Sequence, residues 1–148
     1  MKKLLVAMTL ALVAIFAVAG CGGSSSSKSS TSSSSKEVTY ADADIGVLMS
    51  ELKDNAAAAS KSYKGKDVKV MNGVVSNIDA DGKYFNIKPA GNEYELQSMQ
   101  CFLKDEKLKD EVVKLKKGAP VVVYGHIDDV GEIVGYSLNT KKIELPQQ

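Results

Sequence analysis

Along the middle of the chain the apolar residues fall into two different rhythms. Ile45, Leu48, Met49, Leu52, Ala56, Ala59 and Tyr63 recur at three- and four-residue spacing. That period collects them on one face and predicts a single helix over the stretch. Asp42 or Asp44 suits its N-cap, and Gly65 lies just past its end. From Asp67 the rhythm changes. Val68, Val70, Val74, Val75 and Ile78 make a β-branched strand interrupted at Asn72-Gly73, where a bulge or sharp coil is expected. Asp81-Gly82 gives a hairpin turn into a strand over 83–88, and 89–92 turns again into a third strand around Tyr94 to Leu103. Asp105 to Leu115 reads as an amphipathic helix with Leu108, Val112 and Leu115 on one side. Pro120 opens a strand running to about Asp128, and a last strand spans roughly Ile133 to Leu145.

The expected fold is therefore mainly β with two helices. The N-terminal helix is followed by three strands, a second helix and two strands, which matches the OB-fold, a five-stranded Greek-key barrel with a helix between strands 3 and 4. An α+β sandwich with the same elements in an open sheet is the alternative.

The first thirty-six residues obey neither rhythm. Lys2 and Lys3 precede an apolar run from Leu4 to Ala19, broken only by Thr9. Sixteen residues fall short of the ~20 that span a bilayer comfortably, so the run reads as the core of a signal peptide. It ends in Val18-Ala19-Gly20-Cys21, which resembles the lipobox of bacterial lipoproteins. The expectation is removal of residues 1–20 and acylation of Cys21, by palmitate and similar chains. At ~0.8 kcal/mol per buried CH₂, two or more chains make a lasting membrane anchor. Residues 21–36 are then a Gly/Ser-rich tether with too few apolar side chains to offset its chain entropy. Residues 37–148 form the domain. The expected location is the extracytoplasmic face of the cell membrane, and the glycine-serine tether suggests a Gram-positive surface.

Charge narrows the function classes. The chain has 19 basic residues, all lysine, and 18 acidic ones. Removing Lys2, Lys3, Lys28 and Lys36 from the 19 leaves 15 in the domain, whose net charge is then near −3. Without arginine or tryptophan it lacks the basic, aromatic-studded surface of a nucleic-acid binder. With Cys21 acylated, Cys101 has no intrachain partner and is expected to be a buried, inert thiol.

The segment from Asn55 to Lys66, with Tyr63 near its end, and the segment Val70-Met-Asn-Gly73-Val-Val75-Ser-Asn-Ile78 resemble the tRNA_anti-like family of OB-fold lipoproteins. Gln100-Cys101-Phe102 and Leu115-Lys-Lys-Gly118-Ala-Pro-Val121-Val-Val123-Tyr-Gly125 do so too, in the same order. The resemblance covers about Leu48 to Glu144 and implies an OB architecture rather than an activity. The family pattern has a second cysteine near the end of the last strand, where this chain has Lys141, so no disulfide to Cys101 is implied.

No catalytic, metal or cofactor set emerges. His126, with Asp128 and Asp129 nearby, lacks further ligands and a nucleophile at a defined spacing. Asp79-Ala-Asp81-Gly82 opens like a calcium loop but lacks the third ligand and the distant glutamate, so a hairpin turn is expected. Glu51 with Asp54, and Glu106 with Asp110, read as solvated ion-pair rows among lysines. What remains is a surface. Alternation turns Phe85, Ile87, Met99, Cys101 and Leu103 inward and leaves Tyr84, Asn86, Lys88, Gln100 and Phe102 outside. OB-folds often bind across their strand 2–3 face. The reading is a non-enzymatic binding module, held to the membrane through Cys21, for an envelope protein, a peptide or a glycan. Single-stranded nucleic acid, by fold analogy alone, and an assembly role docking through the N-terminal helix are the rivals.

Overall fold

The computed structural model describes residues 38–92 and 96–146. The expected signal peptide, lipidation site Cys21 and tether lie outside the described residues. The elements run β1 (Ala41–Asp44), α1 (Ile45–Asp54), α2 (Ala56–Tyr63), β2 (Asp67–Ile78), β3 (Tyr84–Pro89), β4 (Ser98–Phe102), α3 (Glu106–Val112), β5 (Pro120–Gly131) and β6 (Gly135–Glu144). The sheet order is β1-β2-β3-β4-β6-β5, and a further pairing of β2 with β5 closes the last five strands into a barrel. Four of those pairings are antiparallel and β4–β6 is parallel, which is the OB-fold topology.

Alternation builds the barrel wall. Val68, Val70, Val75, Phe85, Ile87, Met99, Cys101, Val121, Val123, Ile127, Tyr136 and Leu138 point inward and are at most 2% exposed. Ile45, Leu48, Met49 and Leu52 of α1 join this core, and the Tyr136 hydroxyl donates to the Leu48 carbonyl at 3.0 Å. Burying each such side chain stabilises by roughly 1.5–3 kcal/mol. Further along β6, Leu108 of α3 flanks a cleft beside Thr140, with Val112 of the same helix fully buried.

The single N-terminal helix is in fact two, so the described residues hold three helices rather than two. The apolar spacing continues across the break, which is why periodicity alone joined them. Asn55 breaks the helix by taking extended backbone (φ −161°, ψ 94°). Its amide donates to the Glu51 carbonyl while its side-chain oxygen accepts from Ala58 N–H at 3.0 Å, so one residue closes α1 and caps α2. Asp44 is the cap of α1, accepting from Gly46 N–H at 2.7 Å. Just before it lies β1, an unanticipated strand parallel to β2. Its sequence Ala-Asp-Ala-Asp alternates but carries no large or β-branched apolar side chain, and its pairing with residues Val68–Met71 makes it a strand.

The expected interruption in β2 is a bulge against β5 between Val70 and Gly73. The left-handed residue is Asn72 (φ 61°), whose side-chain amide donates to Asp44 at 2.5 Å. Gly73 serves a different need, since a Cβ there would sit 3.1 Å from the Ile87 side chain. Asp79 to Lys83 is the hairpin turn, with Asp79 accepting from the amides of Gly82 and Lys83. The strand expected from Tyr94 begins at Ser98, and α3 is shorter than expected, ending at Val112.

Two glycines let the seams of β6 close. A Cβ on Gly125 would lie 2.4 Å from the Asn139 carbonyl oxygen, and one on Gly135 (φ 98°) would lie 2.0 Å from that of Ser98.

Candidate functional site

The outer residues of β3 and β4 meet in register: Tyr84 opposite Phe102, and Asn86 opposite Gln100. The Tyr84 and Phe102 ring centroids are 5.9 Å apart with planes tilted by 52°. All five residues singled out from sequence are partly exposed. Lys88 lies opposite Val74 of β2 and borders a cleft of about 590 Å³ together with Ser76, Asn92 and Lys117. Aromatics thus sit at one end of a strip, carboxamides in the middle, and a lysine at the mouth of a cleft at the other. The strip itself lies on the outer barrel wall, and the clefts border it or lie elsewhere.

The parallel β4–β6 pairing continues both rows onto strands that sequence reasoning left out. Phe102 lies beside Asn139, Asn139 beside His126 on β5, and His126 beside Asp67 on β2. In the adjoining row Gln100 lies beside Ser137, and Ser137 beside Asp129. The outward alternation of Ser137 and Asn139 is visible in the sequence. Which strand they would flank is not, because β4 and β6 are far apart along the chain.

The chemistry at the far ends of the rows is already matched. His126 Nδ1 is 3.0 Å from Asp67 Oδ1, so its carboxylate partner comes from β2 rather than from Asp128 or Asp129. Asp129 is paired with Lys64 at 2.6 Å, which holds its carboxyl below the usual range. In the middle the chemistry is unmatched. The side-chain oxygens of Asn86 and Asn139 are buried against their neighbours with no hydrogen-bond partner. Leaving such an acceptor unpaired costs about 1–3 kcal/mol.

A second pair of aromatics lies around β5 and β6. The Tyr40 and Tyr124 ring centroids are 5.4 Å apart, edge to face. Tyr124 donates to Glu144 at 2.8 Å, and the Lys142 ammonium lies 5.1 Å from its ring centroid. The bond to Glu144 pushes the Tyr124 phenol up, while Lys142 and then Tyr124 hold the Glu144 carboxyl down.

Other candidates acquire structural roles. The Cys101 thiol is fully buried, donates weakly to the Met99 carbonyl at 3.8 Å, and is pushed far up by loss of solvent. Glu51 takes the hydroxyl of Tyr63, raising that phenol to about 12. Glu106 does form an ion pair, with Lys109 at 2.7 Å. Among the described residues no group of three or more His, Cys, Asp or Glu is placed to hold a metal, and no helix is long and apolar enough to cross a membrane.

Comparison with known proteins returns one family and several remote structural likenesses. The tRNA_anti-like family model matches residues 1–141. No curated protein sequence matches the chain. Among solved structures, an OBody, AM1L10, bound to hen egg-white lysozyme is similar over 63% of this chain and 90% of its own, at 16% identity and a TM-score of 0.46. Asparaginyl-tRNA synthetase from Pyrococcus horikoshii is similar over 60% of this chain at 18% identity and a TM-score of 0.45, the likeness covering 20% of the synthetase chain.

Proposed function

The chain belongs to the tRNA_anti-like family, and from that premise we propose that it is a lipid-anchored, extracytoplasmic binding module that works without catalysis. The observation that carries the reading is the cross-strand set of Tyr84, Phe102, Asn86 and Gln100, two rings and two carboxamides in register on one outer face of a closed barrel. Rings supply contact area at little entropic cost, and carboxamides both donate and accept, which suits a protein, peptide or glycan ligand. Lys88 is the one cation of the five and stands at the strip's end. Single-stranded nucleic acid needs a basic track along its backbone, and the near −3 charge of the domain works against one.

The membrane address rests on the basic start, apolar run and lipobox before Cys21, with the family match taking in this region as well as the barrel. Metabolic labelling with an alkyne fatty acid tests it: Cys21→Ser loses both the label and the membrane fraction. The binding face is tested by crosslinking and pull-down from intact cells expressing the lipidated protein. Partners captured by the native protein and lost in a Tyr84→Ala/Phe102→Ala variant support the face; partners retained by both move the site elsewhere.

A further inference from the structure

The orphaned carboxamides say what the ligand must bring. We infer that the binding face extends across β4 onto β6, with Asn139 in direct contact with the ligand, and that the ligand is an uncharged, hydroxyl-rich glycan segment. The inference rests on the binding-module reading and deepens it.

Three observations carry it. First, the contiguous set Tyr84, Phe102, Asn86, Gln100, Ser137 and Asn139 contains no charge, on a protein with 25% charged residues. At the far ends of the rows the charged groups are paired, Asp67 with His126 and Asp129 with Lys64, and Lys88 stands at the strip's end rather than within the set. A phosphate-bearing chain would find no cation at the centre of the strip.

Second, the unmatched atoms on this face, Asn86 Oδ1 and Asn139 Oδ1, are both acceptors. They call for donors, and a phosphate oxygen is not one. Both residues are themselves partly exposed although these oxygens are buried. A turn of each carboxamide about its last torsion brings the oxygen outward and puts its amide N–H group in the buried position, an exchange that a donor on the ligand must offset. The two lie in adjoining rows, Asn86 beside Gln100 and Asn139 beside Phe102, so donors must be spaced along an extended ligand. Sugar hydroxyls meet that requirement at every residue of a glycan.

Third, β3, β4 and β6 have both edges taken in the closed barrel along this face. An extended peptide therefore cannot join as an added strand and would lose the main-chain hydrogen bonds that normally supply its affinity. A pyranose ring needs no strand edge. Its C–H face lies on Tyr84 and Phe102, whose rings head the row that includes Asn139.

The test uses the lipidated full-length protein in detergent micelles, titrated calorimetrically with the β1,4-linked hexamer of N-acetylglucosamine, with a twelve-residue oligothymidylate in parallel. The expected result is saturable binding of the hexamer, at least tenfold weaker in Tyr84→Ala/Phe102→Ala and roughly five- to tenfold weaker in Asn139→Ala, the loss of one hydrogen bond. The thermal midpoint of Asn139→Ala should be unchanged or raised, because the substitution removes an unpaired buried acceptor. A lowered midpoint makes Asn139 a structural residue and overturns its ligand role. Binding lost in the double variant but untouched by Asn139→Ala leaves the β3–β4 face standing and removes β6 from it. Hexamer binding indifferent to both variants overturns face and extension together. Preference for the oligothymidylate, or no hexamer binding, overturns the glycan class while leaving the pull-down to judge the face.

Discussion

Two regions of this barrel carry a pair of aromatic side chains on their outer surface, and they differ in what surrounds the rings. Tyr124 itself is matched: its hydroxyl goes to Glu144, a lysine covers its ring, and Tyr40 closes against its edge. Around Tyr84 and Phe102 the neighbours are uncharged, and two carboxamide oxygens stay unpaired. Exposed aromatics alone do not mark a site. A surface whose bonds are complete has little to gain from a ligand, whereas an unmet acceptor gains whatever its desolvation already cost.

The largest effect should come from the seam that holds the second region together. Gly135→Ala places a Cβ into the Ser98 carbonyl at a positive φ, so β6 must part from β4. A loss on the order of 3 kcal/mol or more is expected, seen as a collapsed or non-cooperative thermal unfolding curve by circular dichroism. A native-like melt would mean that this parallel seam yields easily, and with it the continuity of the rows.

Next comes the direct contrast between the two aromatic pairs. Tyr84→Ala/Phe102→Ala should weaken ligand capture at least tenfold, while Tyr40→Ala/Tyr124→Ala leaves it within about twofold. Quantified crosslinking of both variants decides it, and equal losses would erase the distinction drawn between the regions.

Asp44 gives a smaller effect and a pH dependence. It caps α1 and accepts from Asn72, and the bond from Asn72 holds its carboxyl below the ordinary value of 3.8. A lowered folded-state pKa stabilises fully above the unfolded value, and the contribution is lost as pH falls through the folded one. Asp44→Ala should cost about 1 kcal/mol at neutral pH, read from denaturant midpoints. Asp44→Asn should flatten the acid limb of stability below about pH 4. An unchanged acid limb would mean that the cap does not depend on its charge.

The smallest change expected is Tyr124→Phe. Its bond to Glu144 is only part-buried, so the thermal midpoint should fall by roughly a degree or two at most. The Glu144 carboxyl should nevertheless titrate closer to its ordinary value in side-chain NMR, since Tyr124 is one of the groups holding it down.

Much of this molecule could be read from the order of its residues. Alternation assigned the inward set Phe85, Ile87, Met99, Cys101 and Leu103, because period two needs no knowledge of the partner strand. Gly65 was legible as a helix boundary for the same local reason, and of the two candidate caps Asp42 and Asp44 the structure uses Asp44. Asn55 was misread because its apolar neighbours keep helical spacing through the break, and only the competing side-chain bond to Ala58 reveals the interruption. The strand β1 went unseen because its structure is conferred by pairing with β2.

By itself, then, the sequence determined the lipobox signature, the five strands of the barrel, and the inward and outward residues of β3 and β4, since each depends on neighbours a few positions away. Closed barrel over open sheet was decided by the pairing of β2 with β5. The tertiary structure decided which strands adjoin. Register between β4 and β6 brings Asn139 beside Phe102, and register between β5 and β2 gives His126 its partner in Asp67. Such pairings arise from closing loops of tens of residues around a shared core. Their outcome is a property of the whole barrel, and no local pattern encodes it.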